Sequence, residues 1–191
     1  MQLVYGVGVN DRSISSQLNR KNTKEYALWH SMLQRCYSKP YHEKQPTYIG
    51  CSVSYNFKYY HLFHAWCQTQ LGFGKEGYQL DKDLLIKGNK LYSEDTCVFI
   101  PKELNALLTK RTLDRGLLPI GVAKSGKGFR ALCKIYGKYK SLGTFDTPEQ
   151  AFQAYKIAKE AYIKEQAELY KNEIEPIAYQ ALINYKVNIG D

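Results

Sequence analysis

The chain has no run of about eighteen apolar residues, so it offers no helix to cross a membrane and no membrane partner is expected. Its first residues, Met1-Gln2-Leu3-Val4-Tyr5-Gly6, lack a basic segment ahead of a long apolar one, which argues against a secretory leader and for a cytoplasmic protein. No two of its five cysteines form a Cys-x-x-Cys pair, and an odd count without close pairs suits reduced thiols. There is no phosphate-binding P-loop, no dinucleotide fingerprint and no nucleophile elbow, which removes three common enzyme classes. Acidic residues are also scarce. The 18 Asp and Glu stand against 27 Lys and Arg, and the net charge of +9 points to a polyanion as partner.

The basic excess is local. From Pro101 to Phe145 ten bases meet two acids, Glu103 and Asp114. The bases are Lys102, Lys110, Arg111, Arg115, Lys124, Lys127, Arg130, Lys134, Lys138 and Lys140. The bland account is a solvated face. Against it, the bases cluster on one side of an expected sheet and in its turns.

That sheet is expected between Leu118 and Phe145 as three short strands, Ile120–Ala123, Gly128–Ile135 and Tyr139–Phe145. Turn signals at Lys124-Ser125-Gly126-Lys127 and Tyr136-Gly137-Lys138 separate them. In the middle strand Phe129, Ala131, Cys133 and Ile135 alternate with Arg130, Leu132 and Lys134, giving one apolar and one mostly basic face. Thr147-Pro148-Glu149-Gln150 carries a capping box and a first-turn proline. Ala151, Phe152, Tyr155, Ala158, Tyr162 and Ala167 then form a helical stripe, which predicts a helix over Thr147–Tyr170 behind the sheet.

These residues carry a resemblance. Gly121-Val122, the Arg130 strand, Leu142-Gly143-Thr144-Phe145 and the run from Thr147 to Tyr155 resemble an Apetala-type (ethylene-response-factor type) DNA-binding domain over about fifty residues. The resemblance implies a sheet lying in the DNA major groove with the helix supporting it from behind. The Trp residues usual in the family's sheet are absent here.

Upstream, Asn22 and Glu25 suggest a cap for a helix through Cys36, with Trp29, Met32, Leu33 and Cys36 facing a core. Leu3–Val9 is weakly strand-like, and Asn10–Lys21 is expected to be loop or mobile arm. A second helix is expected over Lys58–Gln70, with Tyr59, Phe63 and Trp66 as its stripe. From Tyr78 to Leu108 two extended pieces and a short helix make a ββα unit. With Trp29, Arg35-Cys36-Tyr37 and Trp66 before it, this region resembles phage-encoded HNH (His-Me finger) endonucleases, including homing enzymes that carry an Apetala-type domain. The resemblance spans roughly Tyr26 to Tyr170.

It implies a histidine at the end of the first strand, where the family has an Asp-His pair; this chain has Asp81-Lys82. A lysine is protonated near neutral pH and makes a poor general base. Asn89 falls near the family's middle Asn, and Glu94-Asp95-Thr96-Cys97 near its last metal ligand. Asp81 and Asp83 share a face if the strand continues through them, which suits magnesium; otherwise they flank a turn and pair with Lys82, Lys87 or Lys90. His61 and His64 are the nearby candidates for a base, three apart on one helix. Zinc through Cys36, His42, Cys51, His64 and Cys67 lacks a second close pair and is not expected. Pro176 should end or kink the long helix, and Ile177, Ala181 and Tyr185 suggest a last helix docked on the core or on another subunit, leaving the oligomeric state open.

The expectation is thus an α+β chain: an arm (1–21), an HNH-like helical and ββα module (22–108), a basic connector (109–117), an Apetala-type domain (118–172) and a C-terminal helix (173–191). Three functions compete. The first is a double-stranded DNA binder, sequence-specific and suited to transcription regulation, needing no cofactor. The second is a magnesium-dependent DNA endonuclease. The third is an RNA-binding or protein-interaction factor.

Overall fold

A computed structural model describes residues 3–109 and 117–191. The fold is α+β, and it divides into two compact units. One comprises residues 1–102 with 173–178, the other 103–172 with 179–191.

In the first unit, α1 (Lys24–Tyr37) opens on Thr23, whose hydroxyl accepts the Tyr26 amide. The cap therefore sits one residue beyond Asn22. Trp29, Met32, Leu33 and Cys36 are buried as their spacing predicts. A short α2 (Lys39–Lys44) follows from a Ser38 cap. The second expected helix is split: a 3-10 turn at Asn56–Lys58 precedes α3 (Tyr60–Thr69). Its buried side is Tyr60, Phe63 and Cys67, so the stripe is rotated from the expected Tyr59 and Trp66. The indole of Trp29 donates to the Phe57 carbonyl at 2.8 Å, which satisfies its one polar atom inside an aromatic core.

The expected arm is partly structured. Gln17–Leu18 (β1) and Lys21–Asn22 (β2) form a hairpin over Asn19-Arg20, both at positive φ. Leu3–Val9 yields isolated bridges, Val4 to Gly8 and Val9 to Tyr59, rather than a strand. Ser52–Val53 (β3) pairs in parallel with Leu91–Tyr92 (β5). Tyr78–Asp81 (β4) pairs antiparallel with Val98–Pro101 (β6); α4 (Lys102–Leu108), which from Glu103 on belongs to the second unit, follows and completes the ββα order along the chain.

In the second unit Val122–Ser125 (β7), Gly128–Ile135 (β8) and Lys138–Phe145 (β9) form an antiparallel sheet in the order β7-β8-β9. Across it lies α5 (Pro148–Leu169), with the Thr147 and Gln150 capping box in place. Cys133, Phe152, Tyr155 and Val187 form the core between them, joined by Ile120, Val122, Ile135, Leu142 and Ala158. Phe129, expected in this core, is only half-buried at its margin. Gly121 must be glycine: φ is +76°, and a Cβ there would overlap the Tyr155 ring. Pro176 does not end α5, which stops at Leu169; it opens α6 (Pro176–Ile183), as a first-turn proline can. The buried positions are Ala178 and Leu182, one step from the expected Ile177 and Ala181 stripe; Ile177 is exposed.

Candidate nucleic-acid interface

Strand register decides which bases share a face. Arg130 pairs with Ala123 and Thr144, Leu132 with Ser141, and Lys134 with Tyr139. Directly paired residues point to the same side of a sheet, so these side chains lie on the face away from α5. Arg130 Nη2 donates to Ser125 Oγ at 3.0 Å, on that same face. Lys134 Nζ lies 6.0 Å from the centre of the Tyr139 ring, which is 70% exposed. The open face thus offers a guanidinium, an ammonium, a phenol and small hydroxyl residues.

The other expected contacts separate from this face. Lys124 is not in the turn but inside β7, opposite Phe129, with its Nζ 4.1 Å above that ring. Lys138 pairs with Ile135 and Lys140 with Cys133, so both start from the helix side of the sheet, at the β9 edge. Lys127 occupies the two-residue turn with Gly126, which has φ +59°. Arg111 and Arg115 lie outside the described residues. From Leu117 to Phe145 there are six bases and no acid. Among the described residues none of these six forms an ion pair. Their charge is therefore left for solvent or a partner.

A β-bulge sets this arrangement. The pairing shifts between Ala131 and Leu132, leaving one extra residue in β9, and Gly143 takes φ +130° there. The shift keeps Leu142 in the core while Thr144 and Ser141 both join the open face. Tyr139, Ser141, Thr144 and Ser125 were missed from sequence; the Leu142-Gly143 step was the available signal.

The loop after β4 has a different character. Asp81 is buried, and its Oδ1 accepts the amides of Asp83 at 2.9 Å and Leu84 at 2.6 Å. Burial outweighs these bonds and holds its carboxyl above the usual range. Lys82 is also buried; its Nζ donates to the Asn89 carbonyl at 2.6 Å and to Asp83 Oδ2 at 2.7 Å. Asn89 Nδ2 returns bonds to the carbonyls of Lys82 and Leu91, and its Oδ1 accepts the Leu91 amide. Lys82 and Asn89 therefore clamp the loop between β4 and β5. β4 ends at Asp81, so Asp83 falls in the bend, exposed and held by the ammonium. A carboxylate spent on two amides and another facing an ammonium do not fit magnesium.

His61 and His64 both sit on α3. His61 Nδ1 comes within 3.0 Å of Asp11 Oδ2 without the alignment of a hydrogen bond, and His64 meets the Tyr60 ring edge-on. Among the described residues no hydrogen bond, ion pair or ring contact joins either histidine to Asp81, Asp83 or Asn89. His42 Nε2 is 2.7 Å from the Arg35 carbonyl. All five cysteines are free and buried, and burial pushes the Cys36 and Cys97 thiols up to about 12. Among the described residues no three His, Cys, Asp or Glu side chains gather as metal ligands.

The chain matches no family model, no curated protein and no solved structure. No helix among the described residues is long and apolar enough to cross a membrane. What bears on function is thus the geometry of the two sites: an open, unneutralised sheet face, and a clamped loop whose acids are already engaged.

Proposed function

We propose that the chain binds double-stranded DNA through the open face of the β7-β8-β9 sheet, with sequence preference, as a regulator of transcription needs. The observation that carries this reading is the placement of Arg130 and Lys134 on one face of β8, with Leu132 between them and no acid from Leu117 to Phe145, on a sheet backed by a helix. A small sheet of this kind enters a major groove, where arginine pairs bidentately with guanine and lysines meet phosphates. The resemblance to phage HNH proteins with an Apetala-type domain supports the same partner.

Fluorescence anisotropy with a specific and a scrambled duplex, across several salt concentrations, tests it. Arg130→Ala should relax preference at one position by about 1–3 kcal/mol. Lys127→Ala should weaken binding to all sequences and lower the salt slope by about one unit. Arg130→Ala and Lys134→Ala variants that bind both duplexes as the parent does would remove the sheet as the interface.

A magnesium-dependent endonuclease is the competing proposal, and the ββα order of β4, β6 and α4 with Asn89 bracing the loop favours it. Lys82 and the engaged Asp81 speak against it. Supercoiled DNA incubated with magnesium and with chelator separates the two. Nicking that Asp81→Ala abolishes while binding persists would establish the nuclease.

A further inference from the structure

The hairpin β1–β2 is built in a way that core packing does not explain. All six side chains from Gln17 to Asn22 are exposed, and Leu18 is 71% exposed. A two-stranded ribbon with no buried side chain is marginal by itself. Its shape is fixed instead by backbone devices. Asn19 and Arg20, at φ +51° and +63°, form a two-residue turn whose twist suits the strands. The Ser15 hydroxyl donates to the Gln17 carbonyl, and Gln17 Nε2 to Asn22 Oδ1. At the base the Thr23 amide donates to the Ser16 carbonyl at 3.0 Å, and the Thr23 hydroxyl meets the hydroxyl of the buried Tyr60. The ribbon thus stands on the core without contributing to it.

Its chemistry is cationic at the tip. Arg20 is in the turn and Lys21 in the strand beside it, and among the described residues neither has an acidic partner. The acids on either side of the hairpin in sequence are engaged elsewhere: Asp11 accepts from Ser13 and faces His61, and Glu25 accepts from Gln68. Leu18 and Lys21 are a cross-strand pair and share one face. A ribbon of two strands is narrow enough for a major groove about 12 Å wide, where an apolar side chain can meet a thymine methyl and cations meet phosphates.

We infer that the β1–β2 hairpin is a second duplex-DNA contact, independent of the sheet in the other unit, with Arg20 and Lys21 on phosphates. It rests on duplex DNA being the partner, and not on the sheet face being its site. The test uses the full chain, a labelled 40-base-pair duplex, and anisotropy at several salt concentrations. The double variant Arg20→Ala/Lys21→Ala should lower the salt slope by about two units, one per phosphate. Arg20→Lys should keep the parent slope, and circular dichroism should be unchanged throughout. Equal slopes for parent and a folded double variant overturn the inference. So does a parent that binds single-stranded RNA while leaving the duplex free. Arg130→Ala, measured in parallel, keeps the two proposals apart. If it binds like the parent while the double variant loses slope, the sheet reading falls and the hairpin contact stands.

Discussion

Replacing Lys82 with methionine distinguishes a bracing lysine from a catalytic one. The ammonium is buried, bonded to the Asn89 carbonyl at 2.6 Å and to Asp83 Oδ2 at 2.7 Å, and lies 5.8 Å from the centre of the Tyr92 ring. A hydrogen bond from an ionised group contributes about 1.5–3 kcal/mol, and this one is partly buried. The Asp83 pair adds less than about 1 kcal/mol, because that carboxylate is half exposed and screened by water. Methionine keeps the stem's packing and removes the cost of burying a charge, which offsets part of the loss. The net destabilisation should be about 2 kcal/mol. Both tryptophans, Trp29 and Trp66, belong to the same unit as Lys82, so their fluorescence in a urea titration follows the relevant transition. A midpoint equal to or above the parent's refutes the clamp. So would a parent that nicks DNA in magnesium and a Lys82→Met variant that loses nicking at full stability.

Gly121→Ala should cost about 2–4 kcal/mol, from a left-handed alanine and a displaced Tyr155 ring; hydrogen exchange at β8 amides would read it, and unchanged protection would count against the tight approach. Thr147→Ala should cost about 1 kcal/mol and speed exchange first at the opening turn of α5, because it removes one side of the capping box. Asp81 makes stability depend on pH with a definite sign. Its folded pKa is raised, so between the unfolded and folded values the native state holds a proton that the unfolded chain has lost, and stability falls as pH rises through that window. Asp81→Asn should flatten this slope in urea titrations run from acid to neutral pH; an unaltered slope would exclude Asp81 as its source.

Much of the second unit was legible in the chain because two independent periods agree there. Arg130 to Ile135 alternates with period two, and Ala151 to Ala167 repeats at helical spacing behind an explicit cap. The faces of β9 were not read correctly, because a bulge at Leu142-Gly143 breaks the alternation and Gly143 is its single mark in the sequence. Lys124 was misplaced for a related reason: Gly126 alone supplies the positive φ, so the turn needs two residues rather than four. In the first unit the Lys82–Asp83 pair beside a turn was one of the expected alternatives, but the rest of the clamp was not legible, since Asn89 and the strand β5 are joined to it through main-chain carbonyls that carry no sequence signal. The hairpin at Gln17–Asn22 was hidden because Asn-Arg is not a usual two-residue turn and no apolar alternation flanks it.

Residues 173–178 return to the first unit after residues 103–172 of the second have been made. There Glu173 pairs with Lys75 and takes the Tyr78 hydroxyl, and Glu175 accepts the Leu71 amide. A chain leaving the ribosome therefore holds an unfinished first unit, with Lys75, Tyr78 and the Leu71 amide waiting, through the synthesis of some seventy further residues. The second unit needs a late segment as well, since the Val187 amide donates to Glu160 and Val187 fills its core. Completion of both thus waits until residues 173–187 have been made, and a nascent chain stalled short of residue 173 would lack the closing contacts of each.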